Sequence, residues 1–311
     1  MKERMELKGR DLLTLTDFSS EEIWEFFKEA TRLEKLAGKT LDILQGKSIL
    51  MFFQRPSTRT RISFNLAIAQ LGGHPIILGV DEMQLCRGET LADTARTLER
   101  YVDGIVARVI NHQDVEALAE HTAIPVINAL SPQFHPCQAL SDLYTIYKRK
   151  GTLKDLKVAW IGDGDNVCHS LLIGCAKLGV DVSVASPPSF EPNAELVKLA
   201  KRAGSNTGAK IKITHEPMVA AKDADIIYTD TFVSMGKEDE NEKRRQIFLP
   251  KYQVTGQTFK NANDGCLFMH CLPAHRGEEV AEEVIDGPNS IVWFQAENKL
   301  HIGKAILSLL I

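Results

Sequence analysis

Between Ser19 and Gly38, Ile23, Phe26, Phe27, Ala30, Leu33 and Leu36 recur at spacings of mostly three or four, which places them on one face of a helix. Ser19 with Glu22 makes a capping box at its start, and Gly38 can end it. Beyond it the pattern changes to short apolar runs, bounded by polar residues, glycine or proline and followed by helical stretches. The first half holds Ser48 to Phe53, Pro75 to Gly79, Gly104 to Arg108 and Pro125 to Ala129. The second holds Lys157 to Ile161, Val180 to Ala185, Lys210 to Thr214, Asp225 to Thr229, Cys266 to His270 and Ser290 to Phe294. Such alternation predicts parallel sheets with covering helices. A charged, glycine-bearing interruption at Lys148 to Asp155 divides the two series. The expected fold is α/β, with two doubly wound parallel-sheet domains of similar size joined by helices, over residues 1–150 and 151–295. A last helix, 296–311, is assigned to the first domain. Gly236 to Gln246, the most polar stretch, reads as a solvated mobile loop.

Charge and composition narrow the function classes. In 311 residues, 37 basic and 41 acidic side chains give a net charge of -4. This argues against a nonspecific nucleic-acid or membrane-surface binder, so any anion site must be local. No apolar run approaches the ~18 residues of a membrane span, and MKERMELKGR resembles neither a signal nor a transit peptide; the expected location is the cytoplasm. Six cysteines without a C-x-x-C pair fit a reducing compartment, and nine histidines without a zinc spacing give no reason to expect a metal.

Four clusters carry candidate chemistry. Phe52 to Phe64 runs from a strand through a turn rich in hydroxyls and arginine into a helix, where free backbone N–H groups, Ser57, Thr58, Thr60 and Arg59 would surround a phosphate. The same residues also fit a helix cap beside solvated arginines. His135-Pro136-Cys137-Gln138, Asp230 through Gly236, and His270-Cys271-Leu272-Pro273 all follow expected strands, where α/β sheets place ligands. Singly, His135 could be a cap, Asp230 a turn former and Cys271 a small buried hydrophobe. Gly162-Asp163-Gly164 opens a helix as a dinucleotide loop does, but Val167 replaces the third glycine and no acid ends the next strand, which argues against a nicotinamide cofactor. Leu33 and Leu41 stand where the Gly-Lys-Thr and Gly-Lys-Ser sequences would need a Walker glycine.

Taken together, Ser57-Thr58-Arg59-Thr60, His135-Pro136-x-Gln138, Asp230-x-x-x-Ser234-Met235-Gly236 and His270-Cys271-Leu272-Pro273 resemble the aspartate/ornithine carbamoyltransferase family, on its ornithine side, over nearly the whole chain. The resemblance implies transfer of the carbamoyl group of carbamoyl phosphate to the side-chain amine of L-ornithine, giving L-citrulline and phosphate, with no metal and no organic cofactor. It also implies residue roles. Ser57, Thr58, Arg59 and Thr60 would hold the phosphate, and Arg108 would bridge phosphate and carbonyl oxygen. His135 and Thr60 would donate to that oxygen, and Gln138 with the backbone carbonyls of Cys271 and Leu272 would accept the carbamoyl NH2. Asn166, Asp230, Ser234 and Met235 would take the ornithine head, with Cys271 orienting the attacking amine. Gln84 would reach the phosphate of an adjacent subunit, which implies a homo-oligomer of at least a trimer. Three positions depart from the pattern. Lys299 replaces an arginine expected to contact the carbamoyl group, Phe232 replaces a tryptophan, and Asn65 replaces a glutamate. Another amine acceptor, such as putrescine or N-acetylornithine, and a binding protein without turnover remain as alternatives.

Overall fold

The structure is a computed structural model that describes residues 7–36, 38–39, 41–233 and 238–311. It divides into two compact α/β units, one of residues up to Tyr144 together with Glu297–Ile311, the other Thr145–Ala296.

In the first unit, β1 (Ser48–Phe53), β2 (His74–Gly79), β3 (Gly104–Arg108) and β4 (Val126–Leu130) form a parallel sheet in the order β2-β1-β3-β4. Its helices are α1 (Ser20–Glu34), α2 (Thr58–Gln70), α3 (Leu91–Leu98), α4 (His112–Glu120) and the start of α5 (Pro136–Lys150). The capping box closes as the sequence predicts: the Ser19 hydroxyl accepts from Glu22 N, and the Glu22 carboxylate accepts from Ser19 N at 2.7 Å. All five residues of β3 are buried, which explains its unbroken apolar reading and leaves Arg108 at its carboxyl end.

In the second unit, β5 (Lys157–Ile161), β6 (Asp181–Ala185), β7 (Ile211–Thr214), β8 (Ile226–Thr229) and β9 (Leu267–His270) form a parallel sheet ordered β7-β6-β5-β8-β9. Helices α6 (Asn166–Leu178), α7 (Ala194–Thr207), α8 (Pro217–Ala221), α9 (Asn241–Phe248), α10 (Gly256–Phe259) and α11 (Glu282–Ile285) follow, and α12 (Val292–Leu310) leads the chain into the C-terminal part of the first unit. In each sheet the first strand has its successor on one side and a later strand on the other. The loops leaving these strands therefore diverge and open a crevice at the carboxyl edge, between β1 and β3 and between β5 and β8.

Two expectations are corrected. Ser290 to Phe294 is not a strand: only Ser290 bridges to Phe268, and from Val292 the chain is helical, so α12 starts four residues before the expected Ala296. A short apolar run fits a buried helix turn as well as a strand, and here Val292 is buried while Trp293 is 63% exposed. Nor is the polar stretch ending at Gln246 a solvated loop throughout, because α9 spans 241–248 and its Arg244 is buried. The Arg244 guanidinium pairs with Asp163, donates to the Phe232 carbonyl at 2.6 Å and lies 4.8 Å from the centre of the Phe190 ring. A charge with that many partners can be buried where a lone one could not.

Candidate active site

The crevice of the first unit collects the phosphate candidates. Ser57 is the N-cap of α2, yet its hydroxyl makes no capping bond and instead accepts from Arg108 Nη1 at 3.5 Å. Thr58, Arg59 and Thr60 form the first turn, where backbone N–H groups have no helical acceptor and the dipole favours an anion. Thr60 is buried, Arg59 half-buried and Thr58 exposed. Gln54, which sequence reasoning missed, ties the two loops together: its N–H donates to Arg108 O at 2.9 Å, its amide oxygen accepts from Ile110 N at 2.5 Å, and its amide nitrogen donates to Asp114 at 3.1 Å. No motif marks such a residue, because its work is done on neighbours.

His135 is buried and precedes α5. Burial first, then the positive charges of Lys299 and Arg108, push its imidazole well below the ordinary 6.5, so it is neutral at neutral pH. The same helix carries Gln138, whose amide oxygen accepts from Lys299 Nζ at 2.5 Å and whose amide nitrogen donates to Asp142 at 2.8 Å. Lys299 thus joins the cluster as a single ammonium where the resemblance expects a guanidinium fork. Burial lifts the Cys137 thiol to about 12, which makes it a packing residue despite its place in the motif. Gln84 is exposed on a 3₁₀ turn, Gln84–Arg87, and among the described residues no hydrogen bond ties its side chain to this cluster.

The second crevice collects acceptor-side candidates. Asn166 opens α6 directly after the β5 loop, and Asp230 follows β8. The Thr229 hydroxyl donates to Ile161 O at 2.5 Å, fixing the ends of β8 and β5 to each other. Gly164 is required by packing, since a Cβ there would lie 2.2 Å from Pro192 N. Burial raises the Asp230 carboxyl above its ordinary value, opposed by His270, the Cys271 thiol and the Thr231 amide, the last at 2.7 Å. His270 Nδ1 accepts from Leu272 N at 2.8 Å, and its Nε2 lies 3.2 Å from the Glu279 carboxylate. That bond holds Leu272 at φ 60, a backbone region unusual for leucine, and so shapes the turn after Cys271. Asp230, His270 and Cys271 bring metal-ligating atoms within 4.8 Å, as do His275, Glu278 and Glu279. In the first group His270 Nδ1 is already occupied by the Leu272 amide. Ser234 and Met235 lie outside the described residues.

The family model for the carbamoyl-P binding domain of aspartate/ornithine carbamoyltransferases matches residues 10–148, and that for the Asp/Orn binding domain matches 154–310. The chain belongs to this family. Within it, the chain is similar to ornithine carbamoyltransferase of Pyrococcus horikoshii, 53% identical over 307 residues that cover 98% of this chain and 96% of the relative. An ornithine carbamoyltransferase from Bacillus subtilis is 51% identical over 301 residues, 97% of this chain and 93% of the relative. Among solved structures, ornithine carbamoyltransferase from Pyrococcus furiosus superposes with a TM-score of 0.95 at 52% identity, covering 99% of this chain and 98% of that one. The family's second domain model runs on through α12, whereas compactness assigns Glu297–Ile311 to the first unit, so Lys299 joins a cluster from which it is remote in sequence.

Proposed function

We propose that this chain transfers the carbamoyl group of carbamoyl phosphate to the side-chain amine of L-ornithine, giving L-citrulline and phosphate. One observation carries the reading: each crevice holds the charge that one substrate needs, Arg108 against Ser57 in the first unit and Asp230 against Cys271 in the second. In this reading the first unit binds carbamoyl phosphate and the second binds ornithine. Ser57, Thr58, Arg59 and Thr60 hold the phosphate, and Arg108 neutralises charge that grows as the phosphate leaves. Neutral His135 donates to the carbonyl oxygen while the carbon becomes tetrahedral, and Gln138 accepts from the carbamoyl NH2. Asp230 pairs with the α-ammonium of ornithine, while Asn166, Ser234 and Met235 take its carboxylate. Attack needs a neutral amine, whose free pKa lies near ~10.5, and Cys271 orients that amine without bonding to the carbamoyl carbon.

The enzyme works in the cytoplasm as a homotrimer, with Gln84 reaching the phosphate of a neighbouring protomer. A reducing compartment is supported by six free thiols. The synthetic direction is supported by the Pyrococcus furiosus relative, 53% identical, which is named anabolic. The test is a citrulline assay with a panel of amines, run beside phosphate release. Both products should appear with carbamoyl phosphate and ornithine together and vanish when either is omitted; preference for putrescine or N-acetylornithine, or no turnover at all, would refute the assignment.

A further inference from the structure

A primary amide has nearly the same shape either way round but opposite hydrogen-bonding ends, so a buried glutamine is useful as an acceptor only if something fixes its direction. Gln138 is 1% exposed, and its amide is held at both ends by charged groups. Its nitrogen donates to Asp142 Oδ1 at 2.8 Å, and its oxygen accepts from Lys299 Nζ at 2.5 Å. Turning it over would set an NH2 against an ammonium and a carbonyl oxygen against a carboxylate. Both contacts would become repulsive in a buried setting where screening is weak. Lys299 lies on a long flexible stem, whereas Asp142 is fully buried one helical turn beyond Gln138 on the same helix. The shorter, anchored partner therefore defines the direction.

We propose that Asp142 is a positioning residue that fixes the Gln138 amide oxygen as an acceptor and so selects carbamoyl phosphate over acyl phosphates that lack an NH2. The proposal rests on the carbamoyl-transfer reading above. A carbonyl oxygen has two lone pairs; Lys299 uses one, and the other accepts an N–H of the carbamoyl group. The methyl of acetyl phosphate offers no such donor, so binding of that analogue gains nothing from the fixed oxygen.

The test compares wild type with Asp142→Leu, Asp142→Asn, Gln138→Leu and the double variant Gln138→Leu/Asp142→Leu. Readouts are KM for carbamoyl phosphate and the inhibition constants of inorganic phosphate and acetyl phosphate. Asp142→Leu should raise KM about tenfold or more, equivalent to about 1.4 kcal/mol, with both inhibition constants within about twofold of wild type. Asp142→Asn, which keeps a carbonyl acceptor, should stay within about threefold. On the Gln138→Leu background, Asp142→Leu should add no further loss. An unchanged KM in Asp142→Leu, inhibition constants rising in parallel with KM, Asp142→Asn as impaired as Asp142→Leu, or additive losses in the double variant would each overturn the proposal. If Asp142→Leu does not fold, the comparison of Gln138→Leu with the double variant still decides, because a further rise in KM on removing Asp142 there would show that Asp142 acts other than through Gln138. Wild type that makes no citrulline would refute the transfer reading itself, before any variant is compared.

Discussion

The imidazole of His135 is held neutral by burial and by the cations at 299 and 108, and this has a measurable cost in acid. In the unfolded chain the group titrates near 6.5, and in the folded protein well below it. As pH falls through about 6.5 the unfolded chain takes up a proton that the folded protein refuses, so stability is lost on the acid side. The melting temperature should decline below that pH, and less steeply in His135→Gln, as thermal melts across a buffer series would show. At the second crevice, Asp230→Asn should raise KM for ornithine about a hundredfold, the loss of a charge-assisted pair, while KM for carbamoyl phosphate barely moves. Cys271→Ala should weaken ornithine use without abolishing it; complete loss together with a trapped carbamoyl-thioester would overturn its orienting role. The residues that touch substrate in this reading were legible in the sequence, because hydroxyls, arginines, a histidine and an acid cluster after apolar runs. Gln54, Asp142 and Glu279 were not, since each acts by holding a neighbour and one amide or carboxylate among many carries no pattern.

Among the elements, β1 matched its expected bounds because a strand buried on both faces leaves an unbroken apolar run. The start of α12 was hidden for the same reason: Ile291, just before the helix, and Val292, its first residue, are buried as they would be in a strand. Helix α9 was hidden by its charge. A stretch containing Glu238, Asp239, Glu240 and Glu242 reads as solvated, and only the buried pairing of Arg244 with Asp163 shows what holds it. Removing one partner of such a pair leaves the other charge buried and uncompensated, so Arg244→Met should cost about 3 kcal/mol or more in urea unfolding. A loss below about 1 kcal/mol would mean that the pair is better hydrated than its burial implies.

For the molecule as a whole, both crevices follow from strand order. A parallel sheet whose chain turns first one way and then the other must part its loops at the carboxyl edge, and motifs after β1, β3, β5 and β8 fall there without further design. Sequence alone could locate the strands but not their order, which depends on long-range pairing. Assembly is open to direct measurement: sedimentation should give a mass of three chains or a multiple of three, and Gln84→Ala should weaken carbamoyl phosphate binding without dissociating the trimer. The first unit is also discontinuous along the chain. Gly9 N donates to Leu310 O at 2.8 Å, Lys47 Nζ to Ile311 O at 2.5 Å, and the Ser308 hydroxyl to Glu29 at 2.6 Å, so the last turns of α12 complete what the opening residues began. Domains generally fold N-terminal first during synthesis, but here the first unit cannot be completed until the C-terminal residues are made. The half translated first is thus completed last, and a chain released before Glu297 would hold every residue of the second unit but a first unit still lacking Lys299.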